Sequence, residues 1–255
     1  MPLRKSPKAA RARKPYPKRK SVRSTVLQRA KTMEYSADPV PPLISASRAT
    51  KEQKFLDMAI VSLDCNQHPG PADILLLNQI GQGTSVNTRV GMRYQMTGVH
   101  LRGVFEQQGP QQTAPPMCGY YLVYDSEPHG TAPTAQEMFN LRYNEMPFAF
   151  PNGSEGQKGG RFKYLARKQF LLGNQGSGSS PVPMDGVTPG QILINDYIPL
   201  NKLQTQCMRL NTGSTVSSIQ KGALVLVPFG RNGSVVTGTA EPAHMSISWR
   251  LYFGE

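Results

Sequence analysis

From His244 to Phe253 the chain reads HMSISWRLYF, and apolar residues fall at every second position: Met245, Ile247, Trp249, Leu251 and Phe253. Ser246, Ser248, Arg250 and Tyr252 occupy the positions between them. A period of two is that of a half-buried strand, and it places Trp249 in a core. Further stretches carry strand character. GYYLVYD (119–125) is aromatic and β-branched, and RYQMTGVHLRGVFE (93–106) reads as one long strand or two, with Gly98 and Gly103 as candidate bends. ALVLVPF (223–229), QILINDYIPL (191–200), FLDMAIVSL (55–63), ADILLLNQI (72–80) and RFKYLARKQFLL (161–172) complete a set of eight strands, with room for more. Turn-rich segments such as NQHPGP, GPQQTAPP and GRNGS separate them. TAQEMFNL (134–141) reads as a short helix, with Thr134 as N-cap and Glu137 three residues on to close a capping box.

The 24 Gly and 22 Pro leave little room for helices. The predicted class is all-β: a single antiparallel jelly-roll β-sandwich over residues 51–255, closed economically by two packed sheets. No internal repeat is visible, and no run of 18 apolar residues predicts a membrane-spanning helix. The long insertions at 107–118 and 173–190 are expected to build contacts between subunits.

Charge divides the chain in two. Arg4, Lys5, Lys8, Arg11, Arg13, Lys14, Lys18, Arg19, Lys20, Arg23, Arg29 and Lys31 precede the first acidic residue, Glu34, and hold 12 of the 13 net positive charges. The rest carries 17 basic and 16 acidic residues. Residues 1–50 are therefore expected to form a basic arm and linker. Pro2, Pro7, Pro15 and Pro17 interrupt any helix there, and like charges repel, so the arm is expected to be disordered until it meets a polyanion. Lipid fits poorly, because the arm has no amphipathic face and Pro2 stands where myristoylation needs glycine. No apolar segment follows the basic start, so no signal peptide is expected. Nucleic acid is the expected partner, with Tyr16 placed to stack on a base. RKPYPKRK (13–20) also suits a nuclear-import receptor, through Arg13, Lys14, Lys18, Arg19 and Lys20.

Catalytic and metal signals are sparse. Cys65, Cys118 and Cys207 are odd in number and far apart, which argues against a disulfide scaffold and fits a reducing compartment. Cys65 and His68 form a Cys-x-x-His pair with no second pair to complete a zinc site, so no metal or cofactor is expected. His100, His129 and His244 accompany no hydrolase or Walker-type motif. GQKGGR (156–161) reads as a loop able to touch phosphate. Within the fold, Arg102, Lys163, Arg167, Lys168 and Arg250 lie on or near strands. Arg102, Lys163 and Arg250 are taken as candidate phosphate contacts, against the plainer reading of a solvated face.

TRVGMRYQMTGVHLRGVF (88–105) resembles the stretch of geminivirus coat proteins in which a thRVGkRF run leads into a strand. YLVYDSEPHGTAPTAQEMFNLRYNEMP (121–147) is similar to that family's aromatic strand, charged turn, Pro-aromatic-Gly-Thr turn and short helix ending in Phe-Asn, here Pro128–Thr131 and Phe139–Asn140, closing at Asn144–Glu145. ISWRLYF (247–253) resembles its terminal strand. The 173–191 stretch departs from plant geminiviruses, as does the lack of a Cys/His cluster near the arm. The resemblance therefore points to a relative among circular single-stranded DNA viruses, genomoviruses included. It implies a non-enzymatic coat protein of about sixty or more copies in a single or twinned icosahedral shell. It further implies packaged single-stranded DNA, location in the virion and the host nucleus, and no membrane partner. Two other classes stay open: a host nucleic-acid-binding or chromatin protein with a basic tail, and a β-sandwich enzyme or lectin.

Overall fold

The computed structural model describes residues 53–107, 116–141, 146–152, 160–172, 190–208, 215–231 and 243–255. The predicted arm, its boundary with the domain, and most of the predicted insertions at 107–118 and 173–190 lie outside them. The described strands are β1 (Gln53–Cys65), β2 (Leu75–Leu76), β3 (Arg93–Gln107), β4 (Met117–Asp125), β5 (Phe162–Leu171), β6 (Gln191–Cys207), β7 (Ile219–Lys221), β8 (Ala223–Arg231) and β9 (Ala243–Gly254). They build one sheet in the order β1-β9-β3-β6-β7 and a second in the order β2-β8-β4-β5. Every pairing is antiparallel. With β7 set aside, the pairs β1·β9, β2·β8, β3·β6 and β4·β5 form a ribbon that is folded across itself and shared between two four-stranded sheets. That is the jelly roll.

β9 shows why its sequence alternates. It lies between β1 and β3, with Met245, Ile247, Trp249, Leu251 and Phe253 buried against the second sheet. The Trp249 indole N–H donates to the Leu77 carbonyl at 2.9 Å, so the ring is buried without an orphaned donor. The opposite face of this sheet is open. β4 and β8 do not alternate, because both of their faces are covered. The β4–β5 connection packs over the outer side through α1 (Ala135–Met138) and a 3-10 turn at Met146–Phe148. The Tyr121 ring lies 4.6 Å from Phe139, which lies 5.3 Å from Tyr164. Met138, Phe139 and Met146 are fully buried there, each worth about 1.5–3 kcal/mol of apolar burial.

The predicted capping box forms: Glu137 N–H donates to Thr134 Oγ1, and Thr134 N–H donates to the Glu137 carboxylate, both at 3.3 Å. The helix nevertheless ends at Met138, because Phe139 turns to extended backbone and bridges to Pro151. Positions 93–106 form one strand. A side chain at Gly103 would meet the Ser246 carbonyl at 2.2 Å, and one at Gly98 would strike the Tyr197 ring that lies across it. Both glycines permit close approach; at Gly98 the strand also breaks register, with an irregularity between Met96 and Gly98 against both β6 and β9, whereas the ladder runs unbroken through Gly103. The predicted strand at 72–80 shrinks to β2, preceded by a 3-10 turn at Pro71–Asp73. Beyond β2 the Asn78 side chain takes over a ladder bond, accepting the Leu224 N–H at 3.0 Å.

Candidate nucleic-acid interface

The arm residues Arg4, Lys5, Lys8, Arg11, Arg13, Lys14, Tyr16, Lys18, Arg19, Lys20, Arg23, Arg29 and Lys31 all lie outside the described residues, and the nuclear-import segment with them. The fold's three candidate phosphate contacts are described, and the structure divides them between the two sheets.

Arg102 and Arg250 share the open face of the five-stranded sheet. In register, Arg250 stands opposite His100 on β3 and Asp57 on β1, and Arg102 stands opposite Ser248. A shallow cleft of about 310 Å³ runs between them, lined also by Met58 and Trp249. Arg250 holds Asp57 through two hydrogen bonds and stacks its guanidinium 4.6 Å from the Phe55 ring centre. The Asp57 hydrogen bonds push the Arg250 pKa above its ordinary value. Its charge is thus already matched from the neighbouring strand. Beside it, His100, Tyr197 and Tyr252 form an edge-to-face run, with ring centres 6.5 and 6.2 Å apart.

Farther along the same face, His244 Nδ1 lies 2.9 Å from Asp64, and its Nε2 is hydrogen-bonded to the Ser62 hydroxyl. Ser62, His244 and Asp64 therefore have the connectivity of a hydrolase triad. They lie on an exposed sheet face, in neither the Arg250 cleft nor the Lys163 cleft described below, and acyl transfer would also need an oxyanion hole beside the serine.

Lys163 opens β5 on the other sheet. Its ammonium sits 5.7 Å from the Tyr124 ring centre, above a second cleft of about 360 Å³. Arg93 from the start of β3 and Lys221 from the end of β7 line the same cleft, as do Gln204 and Gln206 from β6. Sequence reading missed Arg93 and Lys221. Only the registers Arg93↔Gln206 and Gln206↔Lys221 bring them together, and no local motif reports those pairings.

The other two basic residues singled out on strands, Arg167 and Lys168, are occupied. Lys168 pairs with Asp196 at 3.4 Å, while Arg167 donates to the Pro147 carbonyl at 2.7 Å and lies 5.5 Å from the Tyr121 ring centre. Cys65, Cys118 and Cys207 are buried and none is in a disulfide. Burial pushes the Cys118 thiol up to about 12. His68 is exposed while Cys65 is buried, and among the described residues no group of three His, Cys, Asp or Glu side chains is placed to hold a metal ion. No described helix is long and apolar enough to cross a membrane.

No family model and no curated protein matches the chain. Among solved structures it is similar to a chain of Desmodium yellow mottle tymovirus, at 9% identity and a TM-score of 0.29 over 87% of this chain and 96% of that one. It is also similar to the semi-empty virus-like particle of the giant freshwater prawn Macrobrachium rosenbergii nodavirus, at 14% identity and a TM-score of 0.33, covering 88% and 95%. T=3 Penaeus vannamei nodavirus matches at 12% identity and a TM-score of 0.31, covering 91% and 63%.

Proposed function

We propose that this chain is the coat protein of a circular single-stranded DNA virus related to geminiviruses and genomoviruses. It assembles with copies of itself into an icosahedral shell, packages the genome through its basic arm, and uses residues 13–20 to reach the host nucleus through import receptors. It carries out no catalysis and needs no cofactor. The observation that carries this reading is a near-neutral jelly roll joined to an arm with 12 of the 13 net charges. The two parts have opposite electrostatic needs. Subunits must approach closely, so a neutral body limits repulsion. A packaged genome must be neutralised, so cations are concentrated on one segment. The sequence resemblance at 88–147 and 247–253 supports the same class.

Electron microscopy of the purified protein, with nuclease digestion of what it carries, tests this. Uniform shells holding nuclease-protected single-stranded DNA are expected. A small oligomer that binds nucleic acid without forming shells would favour a host chromatin-type protein instead.

A further inference from the structure

The cations of the fold are not spread evenly among their partners. Arg161 is matched by Asp125, Lys168 by Asp196, Arg250 by Asp57 and Lys54 by Glu255. Arg93, Lys163 and Lys221 have no carboxylate within ion-pair distance among the described residues, yet three separate strands deliver them to one cleft. Glu127 is the single acid in that lining. Like charges gathered at a concave surface repel one another and focus a positive potential outward.

The floor beneath them is fixed. Tyr124 Oη donates to the Gln204 carbonyl at 2.5 Å, and Thr205 Oγ1 donates to the Gly222 carbonyl at 2.9 Å. Asn78 Nδ2 donates to that same carbonyl at 2.9 Å. Gly222 has a φ of +80°, and a Cβ there would lie 2.2 Å from the Gln204 carbonyl and 2.7 Å from Tyr124 Oη. Only glycine permits this turn, and the turn sets the distance between Lys221 and the β6 wall.

We propose that this cleft binds phosphate groups of single-stranded nucleic acid, as a site on the fold separate from the arm. The proposal rests on the coat-protein reading for its occupant. Three cations against one carboxylate suit about two phosphodiesters, and the volume lies at the small end of ligand sites, which suits a single strand. The Tyr124 ring is buried beneath Lys163 and offers no open surface on which a base could stack. The cleft therefore holds backbone without reading sequence.

The test uses the full chain. Binding of a fluorescent oligo-dT is titrated at several salt concentrations for the wild type, for Arg93→Ala/Lys163→Ala/Lys221→Ala, and for Lys168→Ala as a control on an already paired base. Each lost phosphate contact removes about 0.7 from the log–log salt slope, so the triple variant, which gives up about two of them, is expected to be shallower by about 1.4, with the control unchanged. Oligo-dA is expected to behave as oligo-dT does. An unchanged slope in the triple variant overturns the site. Displacement of the oligonucleotide by inorganic phosphate at equal phosphate concentration overturns its assignment to a strand rather than to free anion. If the triple variant loses its circular dichroism signal, Lys163→Gln alone is expected to flatten the slope by about 0.7, and no change there overturns the site. Electron microscopy of the same samples separates the two readings. Shells with an unchanged triple-variant slope overturn the cleft alone. A flattened slope without wild-type shells overturns the coat reading and leaves the cleft standing.

Discussion

Arg250 grips Asp57 across the β1–β9 ladder with two parallel hydrogen bonds, Nε to Oδ1 at 2.5 Å and a terminal nitrogen to Oδ2 at 2.6 Å. Both side chains are about half exposed, so solvent screens the pair and it is worth only about 0.2–1 kcal/mol. Its larger effect is on binding, because Asp57 occupies the fork that a phosphate would otherwise take. Asp57→Asn is expected to change the melting temperature little and to steepen the salt slope of oligonucleotide binding by about 0.7. An unchanged slope, measured by fluorescence anisotropy, would show that Arg250 serves the sheet alone.

Asp125 presents the opposite case. It is fully buried at the end of β4, where Arg161 reaches it with two hydrogen bonds of 2.9 Å and the Glu127 N–H donates a third at 3.0 Å. Arg161→Met leaves a buried carboxylate with one amide. The expected loss is about 3 kcal/mol by denaturant unfolding, and Asp125→Asn in the same chain is expected to recover part of it. A loss under about 0.5 kcal/mol would mean that water reaches Asp125 and that the pair counts only as a surface bridge.

Alkaline pH is expected to weaken the fold. Burial pushes Cys118 up to about 12 from an ordinary 9.0, and Tyr164 up to about 12 from 10.0; Tyr121 and Tyr124 are also raised by burial. The unfolded chain therefore releases these protons first. Stability is fully present below about pH 9 and falls as pH rises toward 12, since the native state then holds more protons than the unfolded state. Melting temperatures measured from pH 8 to 11 by calorimetry are expected to decline steadily above 9. A flat profile would mean that these groups are open to solvent in the native protein.

Legibility followed how local each signal was. β9 could be read from its alternation because one of its faces is open, and the Thr134–Glu137 box because capping is a matter of four consecutive residues. β4 and β8 were legible as strands, but their covered outer face was not, since the cover comes from the β4–β5 connection. β2 was overextended because Leu77 and Ile80 are apolar for tertiary reasons, while Asn78 replaces the backbone in the ladder. β7 is three residues long and carries no pattern of its own. Alternation placed Arg250 on the face of β9 opposite Trp249, but its nearness to Arg102 follows from the register of β3 against β9. The company of Lys163 was not legible either, because Arg93 and Lys221 meet it only through registers set by distant segments.

The arm and the body can be separated by salt. The arm offers twelve cations and Tyr16 as its one stacking residue, so its binding is expected to be electrostatic and indifferent to sequence. For a single strand each phosphate contact contributes about −0.7 to the slope of log affinity against log salt, so about eight engaged arm cations contribute about −5 to −6. Replacing Lys14, Lys18, Arg19 and Lys20 with alanine is expected to flatten the full-chain slope by up to about 3. Deleting residues 1–31 is expected to leave a folded, mostly β protein by circular dichroism. Its remaining slope should be near about −1.4, the share of the two phosphates held by the Arg93, Lys163 and Lys221 cleft. Random single-stranded competitors are expected to displace the probe equally from both proteins. If the full chain itself gives a slope shallower than about −2, or prefers one sequence strongly, the division is reversed. The folded body would then read the DNA, and the arm's charge would serve another partner, such as the import receptor.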